Sequence, residues 1–315
     1  MRLNEKLINL MSQLSIIMKN KGEIFRARAY EKAEEIIRGF KTDIVNISEL
    51  KKCKGIGPSI FSKIETYILT DTLDILEEDK NDPTKIFGNV YGIGPKKAKE
   101  LVDMGINDIS MLRSNQNSVL NNVQKVGLKY YEDILERIPR SEIDQYLFIM
   151  NEVFCGLVKE NDVESKFEVV GSYRRGAENS GDIDCIFTSP DKGLFKKFID
   201  ALVNKKIIIE ILSRGPMKCL VIAKLDGAKF ARRVDFLYAS LDEYAFSLLY
   251  FTGSKTFNTE MRGYCLTKGY TLNEHGLYKM VNNIKGDKVN DVVFRKEKDI
   301  FNFLKYEYKK PECRL

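Results

Sequence analysis

The tetrapeptide Gly-Ile-Gly-Pro occurs twice, at residues 55–58 and 92–95, and each copy runs into an amphipathic helical pattern. Ile60, Ile64 and Ile68 carry the first pattern; Ala98, Leu101 and Val102 carry the second. Glycine supplies the backbone freedom of a tight turn, and proline suits the first turn of a helix. Each copy therefore predicts a hairpin that opens a helix. The free N–H groups at such a helix start suit an anion such as phosphate. Two like units at this spacing commit the region to helices joined by short turns. The bland alternative is a pair of ordinary glycine turns in a helical bundle.

The flanking patterns agree. Leu7, Leu10, Met11, Leu14, Ile17 and Met18 recur at helical spacing, as do Ala29, Ala33, Ile36 and Ile37. Charges and amides interrupt the first of these, which makes it an amphipathic helix rather than a signal peptide. Beyond residue 168 the period changes. "FEVVGS", "DIDCIF", "CLVIAKL" and "RRVDFLYA" are short β-rich runs between turns, and residues 241–265 return to helix. The expected fold is multidomain: an all-α N-terminal half with two helix-hairpin-helix motifs, then an α+β C-terminal half, hinged near Ile138–Arg140. No apolar run approaches the roughly 18 residues of a membrane span. The six cysteines are scattered with no CxxC, which suits a reducing, intracellular setting. The single histidine, His275, excludes a His-rich zinc site, so a bound metal would be held by carboxylates. A net charge of +6 permits a polyanionic partner, and the paired hairpins read as sequence-independent DNA binders.

Residues 171–184 read "GSYRRGAENSGDID". Asp182 and Asp184 alternate with Ile183, so a strand projects both carboxylates from one face. Close like charges are unfavourable without a cation between them, and hard oxygen ligands suit Mg²⁺. Asp235, flanked by apolar Val234 and Phe236 in another β-run, is costly unless paired or bound to metal. Three carboxylates on adjacent strands can hold two metals for in-line phosphoryl transfer. Gly171 and Ser172 offer donors to phosphate, and Arg175 offers charge. A surface turn with solvated charges is the competing reading.

The whole series of motifs, through "RIPR", "YFTGSKTFN", "MRGYCLTKGYTLNEHGL" and "EKDIFNFLKYEYKKPECR", is collinear with and resembles the family X DNA polymerases. The resemblance implies four parts. Residues 1–78 would be a lyase-like DNA-end-binding domain with the first hairpin, and 79–140 a helical DNA-binding subdomain with the second. Residues 141–248 would be a nucleotidyltransferase palm, and 249–315 a fingers-like subdomain that binds the nascent base pair. It implies two Mg²⁺ per active site on Asp182, Asp184 and Asp235, with Mn²⁺ able to substitute, and Asp235 taking the primer hydroxyl proton. A monovalent cation would sit at the hairpins. Arg137, Ser172, Arg175, Ser180 and Gly181 match ligands of a nucleoside triphosphate. Tyr250 and Phe251 match the sugar pocket, Gly253 a nucleotide-binding position, and Asn258 the residue reading the base edge. Gly55, Gly57, Gly92, Gly94, Arg233 and Arg262 match DNA contacts.

Lys63 matches the Schiff-base nucleophile of a 5′-deoxyribose-phosphate lyase, with Arg26 and Tyr30 around its pocket. The chain departs from the family pattern at Ser59 and Phe25, which replace a phosphate-binding lysine and a stacking histidine. It departs again at Leu237, Lys255 and His275. The implied substrates are dNTPs and gapped or nicked DNA. The implied protein is a monomer with no membrane association, working with repair proteins such as a DNA ligase, in the nucleus or at a viral replication site. Four activities compete: a template-directed gap-filling polymerase, a terminal transferase, an RNA-adding nucleotidyltransferase and a catalytically dead adaptor. The intact Tyr250-Phe251 step and the short stretch between "CLVIAKL" and "RRVDF" favour the first.

Overall fold

A computed structural model of the chain describes residues 3–40, 42–282 and 284–314. It divides into two compact units, Met1–Leu120 and Asn121–Leu315.

The first unit is helical. Its elements are α1 (Leu3–Asn20), α2 (Ile24–Arg38), α3 (Pro58–Thr70), α4 (Asp74–Lys80), α5 (Pro83–Gly88), α6 (Pro95–Asp103) and α7 (Ile109–Val119), with a 3₁₀ turn at Ile47–Lys52. The predicted stripe of α1 is buried in full, and it packs on Ala27, Tyr30, Ala33 and Ile37 of α2. Ala29 is exposed, one step off the stripe assigned to it from the sequence, because Ala27 and Tyr30 take the inward positions. Both hairpins form as the repeat predicts. Gly57 and Gly94 are extended N-caps, and Pro58 and Pro95 begin α3 and α6.

The second unit opens with α8 (Asn122–Lys129), α9 (Tyr131–Leu135), β1 (Ile138–Pro139) and α10 (Arg140–Leu157). The division into compact units falls at Leu120/Asn121, so the Ile138–Arg140 segment expected to be a hinge lies inside the second unit. Ile138 and Pro139 are held by antiparallel pairing to β3 (Asn179–Ser180), and Asp133 Oδ2 accepts from the Ala231 N–H at 2.9 Å. Then come β2 (Lys166–Val169), α11 (Gly171–Arg174), β3, β4 (Ile183–Thr188), α12 (Lys192–Asn204), β5 (Ile208–Arg214), β6 (Lys218–Ala223) and β7 (Arg232–Tyr238). They build a five-stranded sheet ordered β2-β4-β7-β6-β5, in which only the β4–β7 pair is parallel.

Alternation along β7 decides which residues face where. Val234, Phe236 and Tyr238 enter the core under α10 and α12, with Phe187 and Phe198. Arg233, Asp235 and Leu237 fall on the opposite face, half-buried. Leu237 packs there beside Val170, Ile186, Tyr244 and Leu248, so this position is apolar filling. The rest of the chain forms α13 (Tyr244–Thr252), α14 (Lys255–Thr267), an antiparallel sheet of β8 (Tyr270–Asn273), β9 (Gly276–Val281) and β10 (Ile284–Lys288), and α15 (Glu297–Leu304). Phe257, Met261, Phe294, Ile300 and Phe301 centre their core.

Candidate active site

The parallel pairing of β4 with β7 sets Asp184 directly opposite Asp235. Both point away from the aromatic core, on the face that alternation leaves for polar groups. Asp182 precedes β4, so the strand itself contributes only one of the two carboxylates expected from it. Asp235 is mostly buried and Asp184 half-buried, whereas Asp182 is 32% exposed. Burial first, then the neighbouring Asp182 and Asp235, push the Asp184 carboxyl up to about 7. Asp235 is also raised, chiefly by burial. Its Oδ1 is buried and makes no hydrogen bond, although Arg233 Nε lies 3.2 Å away. Arg233 also pairs with Asp182.

Among the described residues, no group of three or more His, Cys, Asp or Glu side chains is arranged as a metal cluster. The Arg233 guanidinium stands between two of the carboxylates a metal would need. The donor chemistry nonetheless fits a divalent cation. Three hard oxygen donors repel one another, and one buried oxygen, Asp235 Oδ1, makes no hydrogen bond.

Asp182 and Asp184 line an open cleft of about 710 Å³, and Asp235 lies behind them, paired with Asp184 but outside the lining. Arg137, Ser172, Arg175, Gly181, Asp182, Asp184, Tyr250, Phe251, Gly253, Asn258 and Arg262, all singled out in the sequence, line it together. α11 fills the turn expected after β2, and Gly171 starts it at φ +59°, where a Cβ would stand 2.6 Å from Asp184 Oδ2. Only glycine lets this backbone approach the carboxylate so closely. Ser180 lies buried beneath the cleft, its hydroxyl 2.7 Å from that of Ser172. Arg137 is aimed by Asn179, donating to its Oδ1 at 2.8 Å and its carbonyl at 2.9 Å. Arg175 donates to the Thr252 carbonyl at 2.6 Å. Tyr250 and Phe251 meet edge to face with centroids 5.1 Å apart. Asn258 spends one amide hydrogen on the Tyr250 carbonyl at 2.8 Å, which leaves its other hydrogen and its oxygen for a ligand.

α14 presents Lys255, Asn258, Thr259 and Arg262 to the cleft at helical spacing. Of these, Thr259 escaped the sequence reading. So did a buried relay behind the cleft. Arg174 donates to Thr252 Oγ1 at 2.7 Å and to Glu297 Oε2 at 2.8 Å, and Arg314 donates to Glu297 Oε1 at 2.7 Å. The adjacent arginines of the motif thus divide their work: Arg174 braces the scaffold while Arg175 faces the cleft. His275, by contrast, stands outside the cleft with Nδ1 3.2 Å from Glu243 Oε1.

The remaining candidates belong to the first unit. Gly55 and Gly92 have positive φ, at 119° and 85°. Around Gly57 and Gly94 an added Cβ would meet nothing within 4 Å, which leaves both helix starts open to a large anion. Lys63 Nζ lies 3.4 Å from Ser59 Oγ on α3. Arg26 is exposed on α2 and paired with Glu23 at 2.7 Å, and Tyr30, one turn on, is buried. Phe25 is 88% exposed, so its ring is available to stack.

Family models match almost the whole chain in four segments. Residues 2–73 match a helix-hairpin-helix domain, 85–135 the fingers domain of DNA polymerase lambda, 137–240 the DNA polymerase beta palm and 247–315 the DNA polymerase beta thumb. The segment anticipated as fingers-like thus matches the model named thumb, and the name fingers falls on residues 85–135. DNA polymerase lambda of Arabidopsis thaliana is 30% identical over 99% of this chain and 62% of its own length. The rat (Rattus norvegicus) protein of that name is 30% identical over 96% and 55%. A DNA nucleotidylexotransferase of Ambystoma mexicanum is 25% identical over 90% and 63%. The chain therefore spans about three-fifths of the length of the curated relatives it matches. With the palm carboxylates in register and every segment accounted for in order, the chain belongs to the family X DNA polymerases.

Proposed function

We propose that the protein is a template-directed DNA polymerase that fills short gaps during repair, adding dNTPs to a primer 3′-hydroxyl. The observation that carries this reading is the register of Asp184 with Asp235, with Asp182 and Asp184 lining a cleft whose rim is cationic. Two Mg²⁺ ions, or Mn²⁺ in their place, would be held by Asp182, Asp184 and Asp235 and would supply Lewis-acid stabilisation to the attacking and leaving oxygens. Arg137 and Arg175, fixed by Asn179 and Thr252, neutralise a triphosphate without reorganising. Ser172 adds a hydroxyl donor. Asp235, whose carboxyl pKa is raised chiefly by burial, is the group suited to take the primer hydroxyl proton. Tyr250 and Phe251 pack edge to face as one body, which would place them against the sugar and exclude a 2′-hydroxyl. Asn258 reads the base edge, and Arg262 reaches the template strand.

The first unit holds the DNA through its two hairpins, which a monovalent cation would help to order. Lys63 acts as the Schiff-base nucleophile of a 5′-deoxyribose-phosphate lyase. The division into lyase-like domain, helical subdomain, palm and base-pair-binding subdomain follows the family pattern. Repair proteins such as a DNA ligase, and a nuclear or viral replication site, complete the reading. No described helix is long and apolar enough to cross a membrane.

The relative named a DNA nucleotidylexotransferase favours template-independent addition as the second reading. Extension of a primer at a one-nucleotide gap, with and without template, separates the two. Template-dependent, Mg²⁺-dependent addition is expected. Asp235→Ala should lower it by at least about a hundredfold, while binding to gapped DNA stays within a few fold. Equal addition without template, or near-normal extension by this variant, contradicts the assignment.

A further inference from the structure

β7 places Arg233 two residues before Asp235 on the same face, and the turn before β4 brings Asp182 to the other side of its guanidinium. Nη2 pairs with Asp182 Oδ2, and Nε stands 3.2 Å from Asp235 Oδ1. We propose that Arg233 is an internal latch on the metal site: its guanidinium occupies the metal-free carboxylates as a counter-ion, and cation binding requires it to leave. This inference rests on the reading of Asp182, Asp184 and Asp235 as metal ligands.

The argument is one of shared oxygens. Asp182 Oδ2 and Asp235 Oδ1 are donors that a hard divalent cation would draw on, and both already face one guanidinium. A carboxylate oxygen within reach of a planar N–H fork cannot also accept a cation on the same side. Three carboxylates this close repel one another, and the guanidinium offsets part of that repulsion. The side chain is able to move, since Arg233 and Asp182 are 30% and 32% exposed. Displacement therefore needs no rearrangement of the sheet. The two occupants compete, and competition between ligands for one set of groups is a coupling free energy that binding measurements read directly.

Lys218 provides a control for simple charge. It lies on β6 next to β7 and acts on Asp184 and Asp235 only through space, with no hydrogen bond to either. The experiment is Mn²⁺ binding to the full chain without DNA or nucleotide, followed by the electron paramagnetic resonance signal of free Mn²⁺. Arg233→Gln and Arg233→Ala should bind about tenfold more tightly than wild type. Lys218→Ala should shift affinity much less, and Asp184→Asn should abolish binding. In chelator, both Arg233 variants should melt below wild type, and saturating Mn²⁺ should close that gap. Unchanged or weaker Mn²⁺ affinity in both Arg233 variants overturns the latch alone. An equal gain in Lys218→Ala also overturns it, as a general charge effect. Mn²⁺ binding that is absent, or indifferent to Asp184→Asn, overturns the latch together with the metal-site reading.

Discussion

Gly171 shows how much of the site depends on a single absent methyl group. Its φ of +59° already disfavours a side chain, and a Cβ would sit 2.6 Å from Asp184 Oδ2, well inside contact distance. Gly227 has nearly the same φ, +70°, but open space around it. Alanine at either position costs about 1–2 kcal/mol of backbone strain. Only Gly171→Ala also displaces a carboxylate. Both variants should therefore melt at lower temperature by similar amounts, while only Gly171→Ala loses nucleotide addition. Comparable activity in the two would remove the close approach from the argument. At this scale the sequence was most readable where partners lie near one another along the chain. Gly171, Ser172, Arg175, Asp182 and Asp184 fall within fourteen residues and share one cleft, apart from details such as Ser180 lying beneath it. Arg174 was not readable as a brace. Its acidic partner Glu297 is 123 residues away, and a charged residue on its own reads as solvated.

The elements show the same limit. Helices with a clean apolar stripe, such as α1, appear where the pattern puts them. β5 carries no alternating signal, because "IIIEIL" is nearly continuous in apolar residues, and its ladder with β6 is twice irregular in register. The segment Ile138–Arg140 resembled a linker, yet its strand partner is β3, some forty residues later, and no local pattern announces such a pairing. Long-range polar ties also connect elements around the cleft. Glu297 at the start of α15 is 4% exposed and bridges Arg174 of α11 to the fully buried Arg314. Arg174 and Arg175 between them grip the side chain and carbonyl of Thr252, at the end of α13. Glu297→Gln leaves two arginine charges without their carboxylate, which should cost about 3 kcal/mol of stability. The Thr252–Ser254 segment should loosen with it, raising KM for dNTP more than it lowers kcat. A variant with wild-type melting and an unchanged KM would mean the relay is incidental to the cleft.

At the scale of the molecule, the residues proposed for the two chemistries fall in two separate compact units, so each activity should be lost without the other. On the proposed reading, binding to gapped DNA should fall log-linearly with salt and show little sequence preference, because both hairpins end in helix starts with no side-chain cap, whose backbone N–H groups suit phosphate rather than bases. Strong discrimination among duplex sequences at fixed salt would contradict this. The sharper separation concerns Lys63. If its amine attacks the sugar aldehyde, borohydride should trap the protein on DNA bearing a 5′-deoxyribose phosphate, and Lys63→Ala should remove most of that trapping. Some trapping should remain, since Lys51, Lys52 and Lys54 lie in the same unit and can substitute poorly. Gap filling should persist in the variant, because the carboxylates and the cleft belong wholly to the second unit. Ser59, 3.4 Å from the Lys63 amine, offers a phosphate only a neutral hydroxyl, so the substrate should be held more weakly than a lysine there would hold it. Ser59→Lys tests that directly: trapping at low substrate concentration should rise while the saturated rate changes little. No trapping by wild type would leave the first unit as a clamp on DNA ends, and equal trapping by wild type and Lys63→Ala would place the nucleophile on another lysine.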